Sequence, residues 1–172
     1  MKKYELTSET KVINGVELHQ IKALKSFGNI KKGELGGWIE SEKNLSQDGD
    51  AWVGRNAKVC GNATVGEDAT VYGNATVCGN ATVCGNATVC GKTMVYGDAF
   101  ISGNATVSEY ARVYGDAFII GKATVGGNAT VCGNTRVYGN ATVSGYARVY
   151  GDATVFENAT ISGNAVVSGK ED

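Results

Sequence analysis

From Val53 to Val167 an aliphatic residue stands at every sixth position without a slip, Ile at 101, 119 and 161 and Val elsewhere. Few chain shapes accept that constraint. A helix returns to one face every 3.6 residues, and no such period is present. Four positions after nearly every aliphatic residue comes Ala, from Ala57 to Ala165; Thr93 and Thr135 replace it, and Glu171 breaks it. A pair such as Gly61-Asn62 or Gly97-Asp98 lies between, so the unit reads A-T-V-x-G-N. The β-branched residues favour extended backbone, with Ala and Val on one side and Thr and x on the other. Gly and Asn tolerate positive φ and can turn the chain sharply. Short strands alternating with tight corners make a flat-sided coil with a narrow, dry interior, each coil stacked ~4.8 Å from the next.

Longer matches fix the number of sides. Val95-Tyr96-Gly97-Asp98-Ala99-Phe100 recurs at 113–118, and the octad Tyr110–Ala117 recurs at 146–153. The shifts are one and two multiples of three hexads, which predicts a triangular prism with 18 residues per coil. Burying one Val contributes roughly 1.5–3 kcal/mol. Ordering each residue costs about 1–2 kcal/mol of backbone entropy. A single coil is therefore unstable, and stability must come from stacking.

With these hexads the chain resembles the hexapeptide-repeat superfamily over residues 53–172. The resemblance implies an all-β, left-handed parallel β-helix; the handedness rests on the resemblance. Residues 1–46 lack the hexad phase and read as an N-terminal β-hairpin cap, with 47–172 as the repeat body. Val12-Ile13-Asn14-Gly15-Val16 is a two-residue hairpin signal. Residues 17–27 fit a short helix or a strand, with strand preferred, and Gly36–Glu40 leads into the first coil. The string Val12-Ile13-Asn14-Gly15, Ile21-Lys22-Ala23-Leu24 and Leu35-Gly36-Gly37-Trp38-Ile39-Glu40 resembles the leader of bacterial and phage YdcK-like β-helix proteins. That group is labelled polymer-forming or transferase, and the resemblance transfers no assigned activity. It implies a phage or prophage origin and a partner in the host cell or virion.

Formal net charge is −1 over 172 residues, and acidic and basic side chains nearly balance along the repeat. That balance argues against nucleic acid as a partner. No apolar run is long enough for a bilayer, and Tyr4-Glu5-Leu6-Thr7 after the first lysines is not a signal sequence. The expectation is no membrane and a cytoplasmic place in a bacterial host cell. Cys60, Cys78, Cys84, Cys90 and Cys132 share the x slot of the repeat and lack the paired spacing of a zinc site. They read as small tolerated residues.

Acyltransferases of the superfamily use a histidine base and a loop that interrupts the repeat. Here the repeat has no histidine and no insertion, and His19 is the single histidine of the chain. The three-histidine metal site of the carbonic-anhydrase branch is missing too. The expectation is no catalytic residue, no metal, no cofactor and no enzyme. Glu67, Glu109 and Glu157 replace corner glycines; Glu67 is read as standing at another corner from the other two, which leaves no carboxylate pair.

The outer columns sort by side. One carries Thr70-Tyr72, Thr88-Cys90, Thr106-Ser108, Thr124-Gly126, Thr142-Ser144 and Thr160-Ser162, a ladder that would suit ice. A second carries Tyr96, Arg112, Tyr114, Arg148 and Tyr150, a residue mixture common at binding hot spots. The third carries Phe100, Phe118, Ile120, Tyr138 and Phe156, an apolar surface of the kind that marks interfaces. The resulting expectation is a non-enzymatic scaffold. It self-associates as a dimer or trimer through the third side and binds a host or phage protein through its flat sides. The alternatives are a divergent hexapeptide acyltransferase and an ice-binding protein.

Overall fold

The computed structural model describes residues 2–169. β1 (Tyr4–Ile13) and β2 (Val16–Ala23) form an antiparallel hairpin. Its turn is Asn14-Gly15 at φ 51° and 80°, the doubly left-handed turn that matches strand twist. The preferred strand over 17–23 is present. β3 (Leu35–Ile39) pairs antiparallel with β2 on one edge and parallel with Lys58–Val59 on the other. It therefore joins the cap to the coil stack. The first coil runs through β3, the Leu45–Val65 bridge and β4 (Trp52–Val53). The only helical turn among the described residues is the three-residue 3-10 turn Glu42–Asn44.

Beyond β4 nearly every strand is two residues long, a Thr-Val pair or its variant. The strands stack into three parallel sheets with coil-to-coil registers such as Thr88↔Thr106, Arg112↔Thr130 and Phe118↔Arg136. The 18-residue period and the triangular section are thus present. The three sides are called here the Thr face (Trp52 to Thr160), the Tyr face (Lys58 to Val166) and the Phe face (Thr64 to Thr154).

The Ala and Val columns fill the interior and are buried from Ala51 to Val155. Thr93 and Thr135, in the Ala slot, are buried as well; Thr135 Oγ1 donates to the Cys132 carbonyl, whereas Thr93 Oγ1 has no partner. A buried hydroxyl left unpaired costs about 1–3 kcal/mol. At each corner a left-handed residue begins the turn. In the Gly91 position (φ 77°) a Cβ would lie 2.6 Å from both N and O of Glu109 on the next coil, so only Gly fits. Corner amides then form ladders along the rod, as in Asn62 Nδ2 to Asn80 Oδ1 at 3.1 Å and Asn80 Nδ2 to Asp98 Oδ1 at 2.9 Å.

Three corner glycines are replaced by left-handed glutamates, Glu67, Glu109 and Glu157, at φ 56–63°. The stacking corrects their placement. Glu67 contacts Gly85, whose column continues through Gly103, Gly121 and Gly139 to Glu157, while Glu109 stands on the Gly91 column. Glu67 and Glu157 share a corner because their separation is a whole number of coils. Four glycines lie between them, so no carboxylate pair results.

Candidate functional site

A cleft of about 850 Å³ lies where the cap meets the Thr face. Its roof is the segment 28–35. Mutual hydrogen bonds between Phe27 and Ile30 (3.1 and 2.8 Å) pinch that segment into a turn. Further bonds, Gly33 N to the Ala23 carbonyl at 2.8 Å and Lys31 N to Glu34 Oε2 at 3.1 Å, tie it to β2 and to itself. Phe27 packs edge-on against Trp52 at 5.5 Å, which draws the roof onto the first coil. Trp52, Thr70 and Tyr72 line the cleft together with the charged side chains of Glu34, Asp50, Arg55 and Asp68.

Asp68 is held rigidly, because its Oδ1 accepts the Asp50 amide at 2.9 Å while its second oxygen remains available. The Tyr72 phenol is pushed up from its ordinary value, chiefly by the Cys90 thiol on the next coil. Behind the cleft Lys3 is fully buried. Its Nζ donates to the carbonyls of Ala51 (2.9 Å), Gly49 (3.2 Å) and Asp48 (3.4 Å) and lies 5.2 Å from the Phe27 ring centroid. Burial lowers its pKa to about 8, with the charge of Lys25 acting in the same direction. Burial, reinforced by Glu42, raises that of Tyr4, whose hydroxyl donates to the Leu45 carbonyl at 2.6 Å. Lys3 and Tyr4 thus satisfy the carbonyls that the first coil would otherwise leave unpaired.

His19 sits on β2 opposite Thr10 and Ile39 and does not line the cleft. Of the cleft residues, the sequence singles out Thr70 and Tyr72, and those only as the start of the Thr ladder. Asp50, Arg55 and Asp68 look like ordinary corner residues until the roof is folded over them. Their one local signal was the imperfect hexad 47–52, which places Asp50 on the Asp68 corner.

The residues expected on the other two sides fall into columns as the period requires. On the Phe face Phe100 and Phe118 meet at 5.7 Å and Tyr138 and Phe156 stack at 5.7 Å, with Ile120 in the column between Ser102 and Tyr138. On the Tyr face Tyr96 and Tyr114 stack at 4.8 Å with ring planes 5° apart. Arg112 and Arg148 flank Thr130. The five cysteines are free thiols in the outward slot. Cys60 and Cys78 are neighbours on consecutive coils, and the Cys60 thiol is pushed up by donating to Cys78, which is lowered to about 7 by accepting. No group of three or more His, Cys, Asp or Glu forms a metal cage among the described residues, and no helix there is long and apolar enough to cross a membrane.

Comparison with known proteins places the repeat. The YdcK beta solenoid repeat matches residues 69–85, 77–91, 99–115, 135–149 and 147–161. The Escherichia coli (strain K12) protein called "Uncharacterized acetyltransferase YdcK" is 34% identical over 61 residues, which cover 31% of this chain and 19% of that protein. The matched stretch is therefore under a fifth of that relative's length. A solved Bacillus cereus protein with a provisional acetyltransferase name superimposes with a TM-score of 0.51 over 71% of this chain and 74% of its own, at 13% identity. That likeness shows a shared fold.

These names count against the non-enzymatic part of the expectation, and they say nothing of a phage origin, of self-association or of a host partner. The Escherichia coli protein is called an acetyltransferase over a short matched stretch, and the Bacillus cereus protein shares the fold. The physical reason for the error is specific. The missing histidine was sought within the repeat, but the carboxylates gather at the junction of cap and coil, where two segments without a common phase meet. A carboxylate can also serve as a base. The chain is a parallel β-solenoid, and its stretches 69–91, 99–115 and 135–161 match the YdcK beta solenoid repeat.

Proposed function

We propose that the protein is an acyl-group transferase whose acceptor binds in the cleft beneath residues 28–35. The observation that carries this reading is the cleft itself, a hollow of about 850 Å³ lined by the carboxylates of Asp50 and Asp68, the guanidinium of Arg55 and the rings of Trp52 and Tyr72. The acetyltransferase names of its relatives favour the same chemistry. An amine or hydroxyl acceptor attacks the carbonyl carbon of a thioester donor. The new N–C or O–C bond forms, the C–S bond breaks, and the acceptor proton passes through a base to the departing thiolate. Asp68 is assigned as the base, because it lines the cleft and one of its oxygens accepts the Asp50 amide while the other has no hydrogen-bond partner among the described residues. Arg55 holds an anionic part of the donor. Trp52 and Tyr72 give the acceptor an apolar bed.

The test is release of free thiol from acetyl-coenzyme A in the presence of a panel of amines and sugars. Acceptor-dependent release is expected. Asp68→Asn keeps the bond to the Asp50 amide and should lower kcat at least 100-fold. Arg55→Ala should act mainly on the donor KM. A wild type that releases no thiol with any acceptor, and that acetyl-coenzyme A does not stabilise against heat, refutes the reading.

A further inference from the structure

The Tyr face holds a second hollow, independent of the cleft. Tyr110, Arg112 and Tyr114 form a row across one coil, and Tyr146, Arg148 and Tyr150 repeat it two coils later. The coil between them carries the short side chains Asn128, Thr130 and Cys132. One rung of a long-side-chain ladder is therefore missing. What remains is a trough with two matching walls and two hollows, about 430 Å³ at the Cys132 end and 320 Å³ at the Asn128 end, both lined by Arg112, Thr130 and Arg148.

Its dimensions select a ligand. The walls stand about 9.6 Å apart, twice the ~4.8 Å strand spacing. A flat ring at the midpoint lies ~4.8 Å from each wall, within the ~4.5–7 Å range of aromatic pairs. The stack of Tyr96 on Tyr114 already has that spacing, 4.8 Å. There are two such ring positions, one between Tyr114 and Tyr150 and one between Tyr110 and Tyr146. They lie no more than about 13 Å apart along the strand at ~3.3 Å per residue. Between them Arg112 and Arg148 face one another across Thr130. Neither pairs with a carboxylate among the described residues, and no carboxylate lines either hollow. Lys92 adds positive charge at one end, 5.4 Å over the Tyr110 ring. A second copy presenting the same Tyr-Arg-Tyr row would set arginine against arginine, so the trough is not self-complementary.

We infer that this trough binds a dinucleotide, a ligand with two flat rings joined through phosphate. The rings complete the two tyrosine stacks, and the guanidinium pair holds the bridging phosphates.

Calorimetry on the full chain tests it with nicotinamide adenine dinucleotide, adenosine monophosphate and inorganic pyrophosphate. The dinucleotide should bind at least tenfold tighter than the mononucleotide, and pyrophosphate should give no measurable heat. The triple variant Asn128→Tyr, Thr130→Arg, Cys132→Tyr fills the trough with the row its neighbouring coils already carry; it should keep the wild-type circular dichroism and lose dinucleotide binding. If the triple variant does not fold, the pair Arg112→Ala with Arg148→Ala serves instead and should weaken binding at least tenfold. Arg55→Ala, in the cleft, should leave it unchanged. The inference is overturned by a wild type silent to the dinucleotide at millimolar concentration, by equal affinity for pyrophosphate, or by unchanged binding in a folded trough variant. It is also overturned by affinity for oligoribonucleotides that climbs with length past the dinucleotide, which would mark a single-stranded nucleic-acid track.

Discussion

The two ends of the coil stack are built from the same repeat and differ in what covers them. At the N-terminal end Tyr4, Ile21 and Ala23 of the cap pack on the coil core and are buried, and the Lys3 ammonium ties off three of its carbonyls. At the C-terminal end of the described residues Ala159 and Ala165 are exposed, and Ile161 and Val167 are only half-buried. The same Ala-Val column is dry at one end and wet at the other. The hexad therefore supplies shape and hydrogen-bond register, while burial at an end depends on residues from outside the repeat. A solenoid residue is worth what its neighbours above and below cover.

The comparison can be broken or sharpened by substitution. The largest effect belongs to neither end. Val107→Asp puts a carboxylate into the sealed middle of the column and should remove more than ~4 kcal/mol, leaving no cooperative urea transition. Next, Ile21→Ala in the lid should cost about 2–4 kcal/mol, and Ile161→Ala at the far end about 1 kcal/mol or less. Equal losses in chemical denaturation would mean that the two ends are covered alike. A smaller contrast sits at the corners. Gly91→Ala meets Glu109 backbone at 2.6 Å and takes a left-handed φ, whereas a Cβ on Gly163 meets nothing within 4 Å. The first should cost about 3 kcal/mol and the second about 1 kcal/mol.

The smallest effect is a pH slope. The Lys3 pKa is about 8 when folded and near ~10.4 when unfolded. Between those values the unfolded chain binds more protons, so stability rises with pH. Tyr4 acts oppositely, since burial raises its pKa and the unfolded phenol ionises near ~10. The window to measure is therefore pH 8 to about 9.5. There the urea midpoint of the wild type should climb relative to Lys3→Met, and parallel midpoints would show that the buried ammonium carries no such burden.

The sequence made the coil body legible because its physics is local and repeated. Val at one slot and Ala four later fix which side is inside, and the 18-residue shift fixes which side chains stack. The Phe100–Phe118 and Tyr96–Tyr114 contacts follow directly. The hairpin followed from Asn14-Gly15. The cleft did not, because it depends on segment 28–35 lying over Asp50, Trp52 and Tyr72, a long-range contact with no period to announce it. Lys3 was missed for a related reason, since a lysine near a terminus reads as solvated until three carbonyls converge on it. The trough was half-visible. The recurrence of Tyr-Ala-Arg-Val-Tyr at 110 and 146 was plain, and its meaning lay in the short residues of the coil between.

Stacking in steps of 18 residues also makes the length of this rod a separable variable. Loss of residues 79–96 would join Cys78 to Gly97 and leave every remaining column in phase, so whole coils can be deleted or duplicated by recombination without inventing a new fold. Loss of residues 115–132 would do the same while bringing Tyr150 directly onto Tyr114, closing the trough. Function on such a rod is a matter of which coil is left out of a pattern, and it can be gained or lost in a single genetic step that scarcely touches the core.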